Sequence, residues 1–181
     1  MIDPAEFAAL KAMVRDLDDR RAILDVVHSY ARGLDRLDTG LAKGAFHADA
    51  IDHHGPFVGP AADFIDWIMP IEARLRATFH NVTNHRCDVD GDTAHAESYV
   101  TWFTRSPDGA KISVGGGRYV DRLERREGRW AIVLRRATVE WMFDVPVDPE
   151  AGTMGYPSGS RDRSDLSYER PLRLPDGGAH G

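Results

Sequence analysis

The chain has 181 residues, of which 42% are apolar and 29% charged, a composition typical of one globular domain with a substantial core. Its net charge of −6 argues against nucleic acid or an anionic membrane as a partner, because both require a basic patch. No run reaches the roughly 18 apolar residues of a membrane span, and the first residues do not resemble a signal peptide. We therefore expect a cytoplasmic protein, and its single cysteine, Cys87, excludes an internal disulfide.

The first part of the chain predicts helices. Pro4 to Val14 predicts a short helix, and Ala22 to Asp35 predicts a longer amphipathic one with Asp18 or Asp19 as its N-cap and Thr39-Gly40 as its stop. The apolar residues of the longer helix repeat at helical spacing, at Ile23, Val27, Tyr30 and Leu34.

A mixed segment follows. Leu41 to His47 predicts a short helix, and Asp49 to His54 predicts a short strand closed by Gly55-Pro56. Ala61 to Ala77 again has helical spacing of its apolar residues, and Pro70 within it predicts a kink or a split because proline lacks the backbone N–H.

From Thr78 onward the pattern changes to strands joined by turns. The predicted strands are Phe79–Val89, Ala94–Arg105, Ile112–Glu124 and Trp130–Phe143, and the turns are Asp90–Asp92, Ser106–Gly109 and Arg126–Gly128. Three consecutive hairpins imply an antiparallel meander. Gly115-Gly116-Gly117 inside the third strand predicts a bulge or sharp bend, as a strongly curved sheet requires.

Helices followed by a meander predict an α+β fold, in which a curved antiparallel sheet carries the N-terminal helices on its concave face. Such a cone-shaped α+β barrel leaves a central pocket where side chains do not fill the interior. We assign residues 1–143 to this domain. Residues 144–181, rich in glycine and proline, are predicted to be a tail that covers the domain or a neighbouring subunit, with Leu174–Gly181 disordered.

One charged residue stands out on the last predicted strand. Strict alternation places six residues on one face: Ala131, Val133, Arg135, Ala137, Val139 and Trp141. A guanidinium on an apolar face needs either a structural partner, such as a helix carboxylate, or a ligand. We therefore expect Arg135 to point inward, although one bulge would turn Arg136 inward instead.

Asp35 and His80 form the most informative pair. A carboxylate at a helix end and an imidazole at a strand start can meet at the rim of a helix-on-sheet cavity, where they could take a proton from carbon and return it to a leaving oxygen. Asp35 could instead pair with Arg32 on the helix surface, and a lone strand histidine is often structural. His80 and His85 are expected on opposite faces of a regular strand, and no metal site is expected.

Several segments resemble the SnoaL-like branch of the nuclear transport factor 2-like superfamily, which includes scytalone dehydratase, bile-acid 7α-dehydratase, hexachlorocyclohexane dehydrochlorinase and polyketide cyclases. The resemblance covers about Arg21 to Trp141. The segments that carry it are Tyr30–Asp35, Phe46–Gly55, His80–Asn84, Val89–Ala94 and Gly128–Arg135, together with Gly159–Asp165 and Ser167-Tyr168 in the tail.

The resemblance implies roles for individual residues. Asp35 and His80 match a dyad that abstracts a proton, Tyr30 matches a tyrosine that acts with the dyad, and Arg135 matches an arginine that would stabilise negative charge. Tyrosine rather than lysine at position 30 favours the dehydratase type over the dehydrochlorinase type. The residues expected to line the substrate pocket are His54, Phe57, Trp67, Trp102 and Tyr119. No cofactor is implied, and a homodimer or homotrimer is expected.

The leading hypothesis is a cofactor-independent lyase that eliminates water from a small hydrophobic cyclic or aromatic molecule. Alternatives on the same scaffold are a ketosteroid-type isomerase and a retro-aldol lyase that releases formaldehyde from a lignin-derived diaryl compound. A different class is a non-catalytic assembly subunit that resembles the small subunit of ring-hydroxylating dioxygenases, and another is a ligand carrier or sensor. A contact near 3 Å between Asp35 and His80 at a pocket wall would favour an enzyme.

Overall fold

The computed structural model describes residues 3–174, in which helices pack on one face of a curved, unclosed six-stranded sheet. In chain order the elements are α1 (Pro4–Asp35), α2 (Thr39–Gly44), β1 (Phe46–His54), β2 (Phe57–Pro60), α3 (Ala61–Ala73), β3 (Ala77–Asp90), β4 (Thr93–Arg105), β5 (Lys111–Arg126), β6 (Arg129–Pro146) and a short 3₁₀ helix, Leu166–Tyr168. None of the described helices is long and apolar enough to cross a membrane.

The strand order across the sheet is β2-β1-β6-β5-β4-β3. The four strands from β3 to β6 form the predicted antiparallel meander. The predicted curved sheet of an α+β fold is confirmed. Besides its antiparallel pairs it contains β1, which pairs with β6 in parallel, and β2 then folds back on β1 as a hairpin. The parallel pairing extends the sheet beyond the meander, so the cavity is enclosed by more strands than the turn signals alone predict.

The first helix is one continuous element of 32 residues, not the two helices that we predicted. No glycine or proline interrupts the stretch between Val14 and Ala22, and ion pairs three and four residues apart support it there. The helix begins at Asp3, which caps it ahead of Pro4. The predicted N-cap Asp19 is instead buried, where it accepts a 2.8 Å hydrogen bond from the indole N–H of Trp130.

Two other helix boundaries also differ from the prediction. Thr39-Gly40 begins α2 rather than stopping α1, because the Asp38 side chain accepts a 2.9 Å hydrogen bond from the backbone N–H of Leu41 and caps the new helix. The α3 helix continues past Pro70 and ends at Ala73, so that the residues predicted as its last turn already lead into β3.

The core lies between the helices and the concave face of the sheet. Its fully buried apolar side chains include Ile23, Val27, Phe64, Ile65, Leu123 and Ile132. Burial of each such side chain contributes roughly 1.5–3 kcal/mol, so this layer fixes α1 and α3 against the sheet. Residues at the ends of these two helices are thereby held beside the strands that face them.

Along the last strand, β6, the alternation of side chains between the two faces of the sheet is interrupted twice. One extra residue near Val133 and another at Glu140 interrupt its pairing with β5. Before the first bulge, the inward residues are Trp130 and Ile132, which belong to the core. Only three of the six residues predicted to share a face lie together on the concave side: Arg135, Ala137 and Val139. The prediction is therefore wrong for Ala131 and Val133, which do not follow the alternation of Arg135 because of the first bulge, and for Trp141, which is half exposed beyond the second bulge.

The glycine triplet bends β5 as predicted, and a bulge lies between Gly116 and Gly117. A Cβ atom on Gly115 would collide with the indole ring of Trp102, and one on Gly117 would collide with the carbonyl oxygen of Thr138. The triplet thus allows the Trp102 ring to lie flat across the neighbouring strand. The predicted disorder at the end of the tail was assigned to Leu174–Gly181, and residues 175–181 of this segment lie outside the described part of the chain.

Candidate functional site

A cavity of about 520 Å³ opens between α1, α3 and the concave face of the sheet. Most of its wall is apolar or aromatic, which suits a small hydrophobic molecule. The predicted site residues that line it are Tyr30, His54, Trp67, His80, Trp102 and Tyr119. Phe57 lies behind this wall, with its ring 5.4 Å from that of Phe64 and 5.9 Å from that of Trp67.

The Asp35 carboxylate and the His80 imidazole meet at this wall. Oδ1 of Asp35 lies 2.7 Å from Nδ1 of His80, and Oδ2 accepts a 3.0 Å hydrogen bond from the His80 backbone N–H. The two side chains are only 13% and 10% exposed. The carboxylate therefore holds both the ring and the backbone of His80, which leaves Nε2 as the ring nitrogen free to act on a ligand.

Two residues that sequence reasoning missed hold Asp35 from the other side. Thr78 donates a 3.2 Å hydrogen bond to Oδ1 of Asp35, and Arg161 of the tail donates a 2.9 Å hydrogen bond to the Thr78 hydroxyl. The same guanidinium donates to the backbone carbonyl oxygens of Leu34 and Asp35 at the end of α1. The resemblance pointed to the segment containing Arg161, but only the structure reveals its contacts with the helix end.

Glu72 is a third residue that the prediction missed. It lines the cavity from α3, is only 8% exposed, and has no hydrogen-bond partner for Oε2 within the described residues. Burial raises the pKa of Glu72, and the nearby charges of His80 and Arg161 oppose that rise. A signal was present in the sequence, because Phe64, Ile68 and Glu72 follow one another at intervals of four along the apolar face of the helix.

The structure buries Arg135 completely but does not bring it to the cavity wall. Its Nε and Nη2 donate hydrogen bonds of 2.8 and 2.7 Å to Asp121 on β5. Of the two predicted alternatives, a structural partner or a ligand, the structure shows a structural partner, and that partner is a strand carboxylate rather than a helix carboxylate. Burial alone would lower the pKa of Arg135, but the Asp121 charge outweighs it and raises the pKa. The guanidinium lies 4.2 Å from the ring centre of Tyr30 and 4.1 Å from that of Tyr119.

The two tyrosines separate Arg135 from the cavity. Both are almost completely buried, and burial raises the pKa of each hydroxyl above its usual range, against the opposing charge of Arg135. Both hydroxyls therefore stay neutral and can donate hydrogen bonds at physiological pH. Any effect of Arg135 on a ligand must reach it through Tyr30 and Tyr119.

We expect Asp121→Ala to lower the free energy of unfolding by about 3–5 kcal/mol, because it leaves the Arg135 guanidinium buried without a counter-charge. Chemical denaturation followed by circular dichroism measures the change. Replacing both residues, as Asp121→Ala with Arg135→Met, should recover most of the loss. Asp144→Ala is a matched control, since its Lys111 ion pair on the same sheet is half exposed and should matter little. Equal effects of the two single variants would contradict the prediction.

His80 and His85 lie on the same face of β3, in contrast to the prediction. A bulge between Thr83 and Arg86, with Asn84 in the left-handed region at φ 45°, adds one residue and reverses the alternation. Nδ1 of His85 thus lies 2.8 Å from the hydroxyl oxygen of the fully buried Ser98. Within residues 3–174, no three histidine, cysteine or acidic side chains converge on a point that could hold a metal ion.

The sequence pattern of the SnoaL-like domain family matches residues 15–136, which include most of α1, the strands β1 to β5 and both members of the Asp35–His80 pair. The chain belongs to the SnoaL-like domain family. Its architecture is the cone-shaped fold of the nuclear transport factor 2-like superfamily. None of the curated proteins matches the chain in sequence.

Solved structures share this fold at low sequence identity. A protein from Novosphingobium aromaticivorans with a provisional scytalone dehydratase assignment is 22% identical, with a TM-score of 0.66 over 79% of this chain and 97% of its own. Hexachlorocyclohexane dehydrochlorinase LinA type 3 from Novosphingobium barchaimii is 20% identical, with a TM-score of 0.65 over 74% and 93%. A protein from N. aromaticivorans with a provisional aromatic ring hydroxylase assignment is 23% identical, with a TM-score of 0.64 over 72% and 94%. At these identities the likeness establishes the fold alone.

Proposed function

We propose that this SnoaL-like protein is a cofactor-independent lyase that eliminates water from a small hydrophobic cyclic or aromatic molecule. The observation that carries the proposal is the 2.7 Å contact between Asp35 and His80 at the wall of a largely apolar cavity. Two of the structural neighbours have names that denote elimination reactions, a dehydratase and a dehydrochlorinase, which supports the same reaction type.

The base is Nε2 of His80. Asp35 accepts the Nδ1 hydrogen, so the neutral imidazole has its lone pair on Nε2, and the carboxylate stabilises the imidazolium that forms when a carbon-bound proton is taken. A positioned base of this kind contributes about 10²–10⁴-fold. The remaining acceleration must come from binding the substrate in the right orientation and from stabilising the negative charge that develops.

The donor for that charge is the Tyr30 hydroxyl. It is neutral, buried and without a hydrogen-bond partner among the described residues, and the Tyr30 side chain is part of the wall of the cavity that His80 also lines. A hydrogen bond from it to a carbonyl oxygen that becomes enolate-like would stabilise the intermediate. The Arg135 guanidinium lies against the Tyr30 ring, 4.2 Å from its centre. Its positive charge therefore also favours the negative charge that develops on the carbonyl oxygen of the substrate.

An isomerase would need the same base but no leaving group, and a retro-aldol lyase would break a carbon–carbon bond. A non-catalytic assembly subunit needs neither an open cavity nor a carboxylate held against a histidine. The pocket and the Asp35–His80 contact therefore favour an enzyme over an assembly role.

One probe in heavy water separates these reactions. We expect the protein to convert the aldol adduct of benzaldehyde and acetone to benzylideneacetone, with deuterium entering remaining substrate at the carbon next to the carbonyl. Proton and carbon NMR follow both events. Deuterium entry without loss of water would indicate isomerase-type chemistry, and benzaldehyde with acetone would indicate retro-aldol cleavage. If neither deuterium entry nor any product exceeds the rate without protein, the lyase proposal fails for this class of β-hydroxy ketone.

A further inference from the structure

A second carboxylate and histidine lie together on β1, away from the Asp35–His80 pair. Asp52 and His54 are two residues apart and share the inward face, with 3.5 Å between Oδ1 of Asp52 and Nδ1 of His54. Asp52 is completely buried, whereas His54 lines the cavity with its side chain 30% exposed. Its Nδ1 is buried and has no hydrogen-bond partner among the described residues. The strands β6, β5 and β4 separate β1 from the β3 strand of His80.

The charges around Asp52 do not balance. In the strand registers, Arg135 on β6 is the neighbour of Asp52 on one side and of Asp121 on the other, so the three side chains form a row across the sheet. Arg135 donates only to Asp121, and its Nη1 has no hydrogen-bond partner within the described residues. Both carboxylate oxygens of Asp52 also have none. Two buried carboxylates thus share one guanidinium, which leaves one negative charge that burial makes costly.

The other groups that face this row do not supply the missing charge. Tyr30 on α1 and Tyr119 on β5 are neutral. His85 on β3 feels the charge of Asp121, but burial outweighs that charge and lowers the pKa of His85, so it does not balance the row either. Phe64 on α3 is stacked on the His54 ring at 4.6 Å with 13° between the planes. His54 is the remaining ionisable group beside Asp52. A protonated imidazole would balance the row and provide Asp52 with a donor at Nδ1.

We infer that His54 is held as an imidazolium by Asp52 and is the general acid that protonates the departing hydroxyl of the substrate. This inference rests on the proposed elimination and assigns its second proton transfer. Asp52 does not reach the cavity, so it is a positioning residue. His54 reaches the cavity through the remaining edge of its ring, where Nε2–H is the acidic group.

The protons balance in one turnover. Nε2 of His80 takes a proton from carbon, and the electron pair of that C–H bond forms the new carbon–carbon double bond. The C–O bond breaks, its electron pair stays on oxygen, and the Nε2 proton of His54 converts that oxygen to water. His80 is then protonated and His54 neutral, and exchange with solvent restores both. The site therefore needs its two histidines in opposite protonation states before reaction.

The protonation state can be tested without any substrate. In protein with ¹⁵N-labelled histidine, long-range ¹H–¹⁵N NMR at neutral pH should show the His54 ring as imidazolium, with its signals assigned by their loss in His54→Gln. Asp52→Asn should convert this ring to the neutral form. A neutral His54 ring in the unaltered protein would overturn the inference, whatever the protein does to a substrate.

The acid role can be tested with two leaving groups. For the benzaldehyde–acetone adduct, whose hydroxyl must be protonated to leave, His54→Gln should lower kcat by about 10²–10⁴-fold. For the analogue with chloride in place of that hydroxyl, the loss in kcat should be at least about ten-fold smaller, because chloride leaves without a proton and only the contact of His54 with the substrate is altered. His53→Gln is the matched control, since His53 is the adjacent histidine on the opposite face of β1 and should affect neither substrate.

Equal losses of His54→Gln on both substrates would overturn the acid role, because a merely structural role does not depend on the leaving group. The two proposals can fail separately. Loss of activity in His80→Ala on both substrates, with no leaving-group dependence in His54→Gln, would support the proposed elimination and reject His54 as its acid.

Discussion

Replacing His80 with alanine is expected to lower kcat for elimination by about 10²–10⁴-fold while the fold is retained. The ring supplies the base, but it lies at the cavity wall rather than in the core, so its loss leaves the packing of α1 and α3 on the sheet intact. Steady-state kinetics with the benzaldehyde–acetone adduct measure the loss, and thermal unfolding by circular dichroism checks the fold.

The control for this variant is His95→Ala, which removes an exposed histidine from the outer face of β4 and should change neither activity nor stability. Unchanged kcat in His80→Ala would remove His80 as the base and with it the proposed mechanism. A parallel loss of activity and unfolding midpoint would instead assign His80 a structural role.

Asp35→Asn is expected to lower kcat by up to about 10⁴-fold, the scale that the wrong histidine tautomer produces in a catalytic triad. An asparagine amide can donate to Nδ1 of His80, which would place the ring hydrogen on Nε2 and remove the lone pair that accepts the proton from carbon. KM should change little, because Asp35 does not line the cavity. Rapid quench or steady-state kinetics on the same substrate separate the two parameters.

Two comparisons make this prediction specific. Asp88→Asn alters a largely exposed carboxylate on the same strand as His80 and should leave kcat unchanged. The double variant with His80→Ala should be no slower than His80→Ala alone, because the carboxylate acts only through the imidazole. An additive loss in the double variant would show that Asp35 acts by another route.

The predicted dimer or trimer stays a prediction. Gel filtration with light scattering tests it, and a monomer would contradict it. The outer surface offers apolar side chains that association could cover, with Phe79, Tyr99, Phe103 and Val120 all more than one-third exposed.

The contact between Asp35 and His80 could be predicted from the sequence. Helical periodicity places Asp35 at the end of α1 and the change to strand pattern places His80 at the start of β3, and both positions lie at the same rim of a helix-on-sheet fold. The meander and its glycine bend were accessible in the same way, because hairpin turns have a local signature.

The interaction partners of Arg135 and Glu72 could not be predicted from the sequence. The alternation on β6 predicted that Arg135 points inward, and it does. Its carboxylate partner, however, lies on β5 and is set by the register between the two strands. No local sequence pattern specifies which residues of two neighbouring strands lie opposite each other. Glu72 had a visible helical position, yet its contacts with the tail depend on where Arg161 lies after folding.

The amino-acid sequence by itself determined the α+β class, the order of the elements and the residue types available for proton transfer, because periodicity and turn chemistry act within a few residues. Only the tertiary structure decided which faces those residues occupy. One extra residue at Asn84, near Val133 or at Glu140 reverses every side chain that follows until the next irregularity, and whether a strand bulges there depends on the curvature and pairing of the whole sheet.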